Sequence, residues 1–199
     1  MLTLTQHASS GYKPRTLHNA ASATLTVAFA LDFNTAGERL TKKAAMSAGT
    51  HRYVAIPLNT DPLEASRMVY RAMLDLIRCE LVHDRIMVLN IAGNGIYSLS
   101  EHGWTQDRVN QYVYQVLTKV NEHLNIHRIV SGGQTGADIA GLVAAVAMGV
   151  DAVGTLPKGF LQRGIDGVDR EYDESVIRKQ ILDGARNLPG QLYCVNQNE

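Results

Sequence analysis

Cysteine is scarce in this sequence. The 199 residues contain two, Cys79 and Cys194, which lie far apart, and neither has a second cysteine nearby to form a metal-binding pair. This excludes a disulfide-rich scaffold and a zinc-finger pattern. Because unpaired cysteine usually packs as a small apolar residue, we expect both thiols to be free and buried, in a reducing cytoplasm.

Net charge and long apolar runs are also missing. Lysine and arginine number 19, as do aspartate and glutamate, so the formal net charge is zero. A broad surface for nucleic acid or anionic lipid is therefore not expected, although a local basic patch stays open. No run reaches the roughly 18 apolar residues of a membrane span, and the first residues have no signal-peptide pattern.

A glycine loop between a strand and a helix is the most informative stretch. Ile129 and Val130 predict a buried strand, and a helix without charged residues follows over 139–150. The loop between them contains Gly132, Gly133 and Gly136, which permit positive φ and close approach to a ligand. With the free N–H groups of the helix start, this arrangement suits a phosphate, although a tight structural turn needs glycines as well.

Two further loops are expected at the same edge of the sheet. Residues 85–92 predict a central strand, followed by a loop with Gly93, Asn94 and Glu101 and a helix capped by Thr105. Together with the glycine-loop strand this forms a βαβ unit, so the two loops emerge side by side. Residues 151–156 predict the next strand, whose final turn contributes Pro157, Lys158 and Gly159 as candidate phosphate contacts.

The first 84 residues carry weaker signals. Residues 1–21 are polar without clear periodicity and predict a mobile arm, in which Lys13 and Arg15 form either a small basic contact or part of a solvated tail. Strands are expected over 23–31 and 53–58, and a methionine-rich helix follows from Asp61. Between the strands stands the densest basic run of the chain, which predicts either a clamp over an anionic ligand or an exposed connection: Arg39, Lys42 and Lys43.

The order of elements predicts an α/β, Rossmann-like three-layer fold, a parallel sheet with helices on both faces. We divide the chain into the arm at 1–21, an N-terminal β/α extension at 22–84 and a core at 85–199. Within the core, residues 162–172 predict a charged loop, 174–182 a helix and 191–195 a last strand. The apolar helix at 139–150 suits either a covered layer or a contact in a homo-oligomer, which we expect.

The glycine-loop string and the later turn resemble a known family. Ile129-Val-Ser-Gly-Gly-Gln-Thr-Gly-Ala-Asp138, followed by Leu156-Pro-Lys-Gly-Phe160, is similar to the molybdenum carrier proteins. It also resembles the wider SLOG superfamily, the Rossmann-like group that contains YpsA, the DprA-type proteins and the lysine decarboxylase-like nucleotide hydrolases. The resemblance spans about residues 85–175.

This resemblance implies a sheet whose glycine loop holds a nucleotide or sugar phosphate. The ligand-binding residues would come from the three loops: Gly93, Asn94, Ser131, Gly132, Gly133, Gln134, Thr135, Gly136, Pro157, Lys158 and Gly159. The carrier motif usually has arginine after its aspartate, where this chain has Ile139, and the second glycine motif that supplies the catalytic glutamate of the hydrolases is missing.

Three functions follow from these observations. The first is binding of a phosphate-bearing nucleotide or nucleotide derivative, with cleavage of an N-glycosidic bond by Asp138 or Glu101 if the protein is an enzyme. Asp138 would otherwise cap the N–H groups of its own loop. The second is a non-catalytic carrier for the molybdenum cofactor or a signalling nucleotide. The third is an interaction protein that retains the fold without a ligand. No metal site is indicated by the sequence.

Overall fold

The computed structural model describes residues 1–79 and 86–189. Six strands form the main sheet, and two very short ones form a hairpin: β1 (Leu2–Gln6), β2 (Leu25–Ala30), β3 (Tyr53–Pro57), β4 (Met87–Gly93), β5 (Ile126–Ser131), β6 (Asp151–Leu156), β7 (Gln162–Arg163) and β8 (Asp169–Arg170). The helices are α1 (Tyr12–Ala21), α2 (Ala36–Met46), α3 (Pro62–Arg78), α4 (Ile96–Ser100), α5 (Gln106–Asn121), α6 (Ala137–Ala147) and α7 (Glu174–Arg186). A single 3₁₀ turn, Thr50–Arg52, precedes β3.

All pairings in the main sheet are parallel, in the order β1-β6-β5-β4-β2-β3. Helices α3, α5, α6 and α7 pack side by side, whereas α1 and α2 pack against each other. Right-handed crossovers place the second pair on the opposite face of the sheet. The expected α/β Rossmann-like fold is therefore confirmed, with four helices over one face and two over the other.

The helix after the glycine loop is the centre of the core. Residues 137–145 of α6 are all buried, against β4, β5 and the two flanking helices. Gly141 lets this helix approach the sheet, since a Cβ there would meet the Ile91 side chain. Its apolar surface is thus covered within one copy of the chain, and the expected homo-oligomer stays a prediction.

The prediction that residues 1–21 form a mobile arm is wrong. Residues 2–6 pair along their whole length with β6, and α1 follows directly. The alternation Leu2-Thr3-Leu4-Thr5 is a strand pattern, and Leu4 is buried at the sheet edge. The predicted extension also shares the main sheet with the core, through β2 and β3, while its boundary at 84/85 falls within the undescribed residues 80–85 and stays a prediction.

Three smaller expectations change. Cys79 is exposed rather than buried, because it stands at the C-terminal cap of α3, where the apolar face of the helix ends. Residues 162–172 contain the β7–β8 hairpin rather than only a loop. The loop after Gly93 contains α4.

Cys194 and the strand expected at 191–195 lie outside the described residues. Within the described residues, no helix is long and apolar enough to cross a membrane.

Candidate functional site

A pocket of about 460 Å³ lies between α1, α2 and the carboxyl ends of β4 and β5. The strand pattern creates the space, because Leu25, Val27 and Phe29 of β2 alternate with smaller side chains. Phe29 packs edge-to-face on Tyr112 of α5, whereas Ala28, on the opposite face, stands beside Ala92 in the pocket wall. Large side chains thus fill the face with four helices, and small ones leave a cavity on the other.

The glycine loop is held rigidly from two sides. Gly133 and Gly136 have φ of 65° and 93°, and a Cβ on Gly136 would overlap the Asn94 carbonyl oxygen. The Gly136 N–H donates to Gln106 Oε1 at 2.6 Å, and Gln106 Nε2 donates back to the Gly136 carbonyl at 3.0 Å. The start of α5 therefore fixes the loop through a single glutamine side chain.

The β7–β8 hairpin holds the other side of the same loop. Gln134 Nε2 donates to the Leu161 carbonyl at 2.6 Å, and the Arg163 N–H donates to Gln134 Oε1 at 3.0 Å. Thr135 Oγ1 donates to the Arg163 carbonyl, also at 2.6 Å. Gln134 and Thr135 accordingly join the loop to the hairpin through their side chains.

A buried ion pair crosses the pocket wall. Arg15 Nη1 of α1 donates to Asp138 Oδ2 of α6 at 2.9 Å, and the side chains are each 9% exposed. The Arg15 guanidinium lies so close over Gly132 that a Cβ there would overlap it. Burial raises the pKa of Asp138, and Arg15 together with the N–H groups of Gln134 and Gly93 acts against that rise. Asp138 thus takes the position at the helix start where an anion would bind.

Glu38 is the second carboxyl in the pocket wall. It belongs to the first turn of α2 and is 4% exposed, while Thr35 caps that turn by accepting the Glu38 N–H. Glu38 Oε1 lies 3.5 Å from Asn94 Nδ2, and Oε2 has no hydrogen-bond partner within the described residues. Burial, with a smaller contribution from Asp138, raises the pKa of Glu38 to about 7. This carboxyl therefore gains and loses a proton close to neutral pH.

The pocket mouth combines aromatic rings with cations. Among the residues that line the pocket, Lys13, Tyr97 and Arg163 are exposed and Tyr12 is half-buried, and these four define its mouth. The Arg163 guanidinium lies 5.7 Å from the Tyr12 ring centre and forms two hydrogen bonds with Asp169, of 2.9 and 3.0 Å. Tyr12 donates to the same Asp169 carboxylate at 2.8 Å. The mouth is therefore framed by the hairpin, α1 and α4.

The structure brings only part of the predicted site together. Five predicted residues line the pocket: Gly93, Gly132, Gln134, Thr135 and Asp138. Four others support its walls from behind: Asn94, Ser131, Gly133 and Gly136. Ser131 Oγ, for example, lies 2.8 Å from the carbonyl oxygens of both Ile91 and Asp138, and its single O–H donates to one of them at a time. Asn94 Oδ1 accepts the Leu31 and Asp32 N–H groups at 2.9 and 3.1 Å, and so ties β4 to the loop before α2.

The remaining predicted residues do not line this pocket. Glu101 is an exposed residue at the C-terminal cap of α4. The Pro157–Gly159 turn (residues 157–159) contacts the N-terminal segment instead: the Lys158 N–H donates to the Ser9 carbonyl at 3.2 Å, and the Gly159 N–H to Gln6 Oε1 at 2.8 Å. The basic run of α2 lies outside the lining as well, because Arg39, Lys42 and Lys43 are exposed on the helix whose other side supplies Glu38 and Thr41.

Sequence reasoning missed Glu38, Tyr12 and Gln106, and it gave Arg15 only as part of a small basic contact or of a solvated tail. Thr35 and Glu38 stand at capping-box spacing, a signal that places Glu38 in the first turn of a helix directly after a strand. Arg15 gives no such local signal, since its partner is 123 positions away.

One comparison with known proteins found a match, and it covers the glycine-loop segment. Residues 129–173 match the sequence model of the circularly permutated YpsA SLOG family. This segment runs from β5 through α6 and β6 to the hairpin, so it includes the loop, Asp138 and Arg163. No curated protein and no solved structure matched the chain. The match covers less than half of the chain and supports a relationship of its glycine-loop segment to the SLOG superfamily.

Proposed function

We propose that the pocket binds a phosphate-bearing nucleotide or nucleotide-derived molecule. The observation that carries the proposal is a pair of buried polar atoms, Arg15 Nε and Glu38 Oε2, which have no hydrogen-bond partner within the described residues. Both residues line the pocket. A buried polar atom without a partner costs about 1–3 kcal/mol, so a ligand that supplies the missing partners is stabilised by them.

The surroundings favour this class of ligand. A volume of about 460 Å³ lies in the range of small-molecule sites. The pocket opens at the carboxyl edge of a parallel sheet, next to the reversal of strand order between β4 and β2, where α/β folds commonly bind nucleotides. The similarity to the SLOG superfamily points to the same general class.

Cleavage of an N-glycosidic bond is the reaction that this site would support. A carboxyl whose pKa lies near 7 can donate a proton to the leaving base at neutral pH, and Glu38 has this property. The bond between the anomeric carbon and the base nitrogen would break as the base leaves with this proton. Water would add its oxygen to the anomeric carbon, and the proton that it releases would return to the Glu38 carboxylate. Glu38 thereby replaces the exposed Glu101 as the carboxyl to test, and Asp138 is held by Arg15.

A non-catalytic carrier is the second candidate. Glycoside cleavage usually employs two carboxyl groups, and here Asp138 already accepts hydrogen bonds from Arg15 and from backbone N–H groups. A signalling nucleotide would suit such a site. A molybdenum cofactor would be held through its phosphate and ring system, because no cysteine or histidine is found among the described residues that line the pocket.

The proposal is tested by thermal unfolding against a panel of ligands. The panel contains nucleosides, their 5′-monophosphates, ribose 5-phosphate and molybdopterin, since a ligand that binds the native state raises the midpoint. We expect a nucleotide to raise it, and Glu38→Gln to reduce the shift. The control is Glu122→Gln, the same chemical change on the exposed surface of α5, where Glu122 pairs with Lys119.

Turnover separates the two candidates. Release of free base from a bound monophosphate, lost in Glu38→Gln, would establish the enzyme, whereas binding without release would establish the carrier. An unchanged midpoint with every member of the panel would refute the proposed function.

A further inference from the structure

Several backbone donors in and beside the glycine loop already have partners within the protein. The N–H groups of Gln134, in the loop, and Gly93, at the end of β4, act on the Asp138 carboxylate as donors and oppose the rise of its pKa. The Gly136 N–H donates to Gln106, and the Ala137 N–H to the Asn94 carbonyl at 3.1 Å. A phosphate in this loop would have to compete with these internal acceptors, the Asp138 carboxylate among them.

The interior of the pocket is also unfavourable for a phosphate because of its charges. Arg15 is its buried cation, and Asp138 neutralises that charge at 2.9 Å. The Glu38 carboxyl lies close enough to Asp138 for the two to repel when both are ionised. An uncharged group that both donates and accepts hydrogen bonds suits this interior better, because the donor Arg15 Nε and the carboxyl oxygen Glu38 Oε2 both lack a partner among the described residues.

The charges at the pocket mouth, unlike those of the interior, favour a phosphate. Lys13 is exposed there and forms no ion pair within the described part of the chain. Arg163 stands on the same rim, positioned by Asp169 and by the Tyr12 ring. Asp169 accepts both from Arg163 and from Tyr12, and its carboxylate balances only one of the two cations.

From this distribution we infer the orientation of the ligand. Its phosphate lies at the mouth, beside Lys13 and Arg163, and an uncharged hydrogen-bonding part, a sugar or a base edge, lies in the interior against Glu38. This is the reverse of the orientation that a phosphate in the glycine loop would require. The inference rests on the proposed function.

The test compares each nucleoside with its own monophosphate. Dissociation constants of adenosine, guanosine and their 5′-monophosphates are measured by calorimetry for the unmodified protein and for Lys13→Ala. We expect Lys13→Ala to weaken the monophosphates by about fivefold, the effect of losing one exposed charge contact, and to leave the nucleosides unchanged. Added salt should weaken the monophosphates selectively in the unmodified protein. The control is Lys43→Ala, which removes an exposed lysine of α2 that does not line the pocket.

A second variant examines the interior. Glu38→Gln should weaken nucleoside and monophosphate by the same factor, because the group that Glu38 contacts is present in both. The orientation is overturned if Lys13→Ala leaves the ratio of the two constants unchanged, or if Glu38→Gln tightens only the monophosphates, as it would beside a buried phosphate. If none of the four ligands binds, the orientation is overturned, whereas the proposed function itself fails only if no member of the thermal-unfolding panel raises the midpoint.

Discussion

Arg15 and Asp138 form an ion pair at 2.9 Å between helices that belong to opposite faces of the sheet. The pair crosses the sheet edge just beyond β5, where Gly132 leaves room for the guanidinium. It therefore joins α1 to the glycine loop and defines one wall of the pocket. Two buried charges that depend on each other are also a vulnerable point in the fold.

Removal of the cation should destabilise the protein strongly. Arg15→Ala leaves the Asp138 carboxylate buried without its partner, so we expect the free energy of unfolding to fall by about 3–5 kcal/mol. Arg15→Lys, which keeps the charge, should cost less. The double variant Arg15→Ala/Asp138→Ala should cost less than the sum of the single changes, because no orphaned charge remains. Urea denaturation of Arg15→Ala, Arg15→Lys, Asp138→Ala and the double variant measures these losses, and additive losses in the two single Ala variants and the double variant would show that the pair is not coupled.

Glu38 should make stability depend on pH. Its pKa rises from 4.5 to about 7 on folding, so between these values the folded protein holds a proton that the unfolded chain has released. Stability therefore falls as pH rises through this range, by up to about 3 kcal/mol once the carboxyl is ionised in both states. Glu38→Gln should remove that loss and be the more stable protein at pH 8. Denaturation curves of both proteins from pH 4.5 to 8 measure the difference, and a gap that does not widen with pH would contradict the raised pKa.

A side chain at Gly136 of the glycine loop should destabilise the protein more than one at Gly103, which lies outside the loop and also has a left-handed backbone. Gly136 and Gly103 have φ of 93° and 73°, so alanine is strained at both. A Cβ on Gly103 meets nothing within 4 Å, whereas on Gly136 it would meet the Ile96 nitrogen at 2.7 Å. We expect Gly103→Ala to cost about 1 kcal/mol and Gly136→Ala at least twice as much, as measured by urea denaturation. Equal costs would show that the loop moves freely away from α4.

The sequence allowed the unit from β4 to β6 to be predicted because its signals are strong and local. Thr105 caps α5 as expected, by accepting the Arg108 N–H, and the glycines mark the turn between β5 and α6. The edge of the sheet at which the loops meet follows from the parallel direction of the strands, because all their carboxyl ends lie at that edge. The position of the glycine loop at this edge could therefore be predicted from the sequence alone.

The residues that contact the glycine loop could not be predicted in this way. Whether Arg15 is solvated or buried depends on Asp138, 123 residues later, and no local pattern reports such a distance. The hairpin strands β7 and β8 contain two residues each, too few for periodicity. The local sequence makes Lys158 a candidate phosphate contact, but β1 lies on the far side of β6 and brings the N-terminal segment into contact with its turn. This arrangement could not be predicted from the residues around Lys158.

The position of β1 has a consequence for how the pocket forms. The strand lies at the end of the sheet and pairs with β6 across about 150 residues of chain, with Leu2 opposite Ala152. Long-range parallel pairings form late in folding, since closing so large a loop is entropically costly. We therefore expect the wall that carries Tyr12, Lys13 and Arg15 to assemble after the rest of the sheet, and we expect β1, an edge strand, to separate without disrupting the other strand pairs. When a ligand occupies the pocket, the amides of residues 2–21 should therefore exchange more slowly. This change should be larger than the change for amides elsewhere in the sheet.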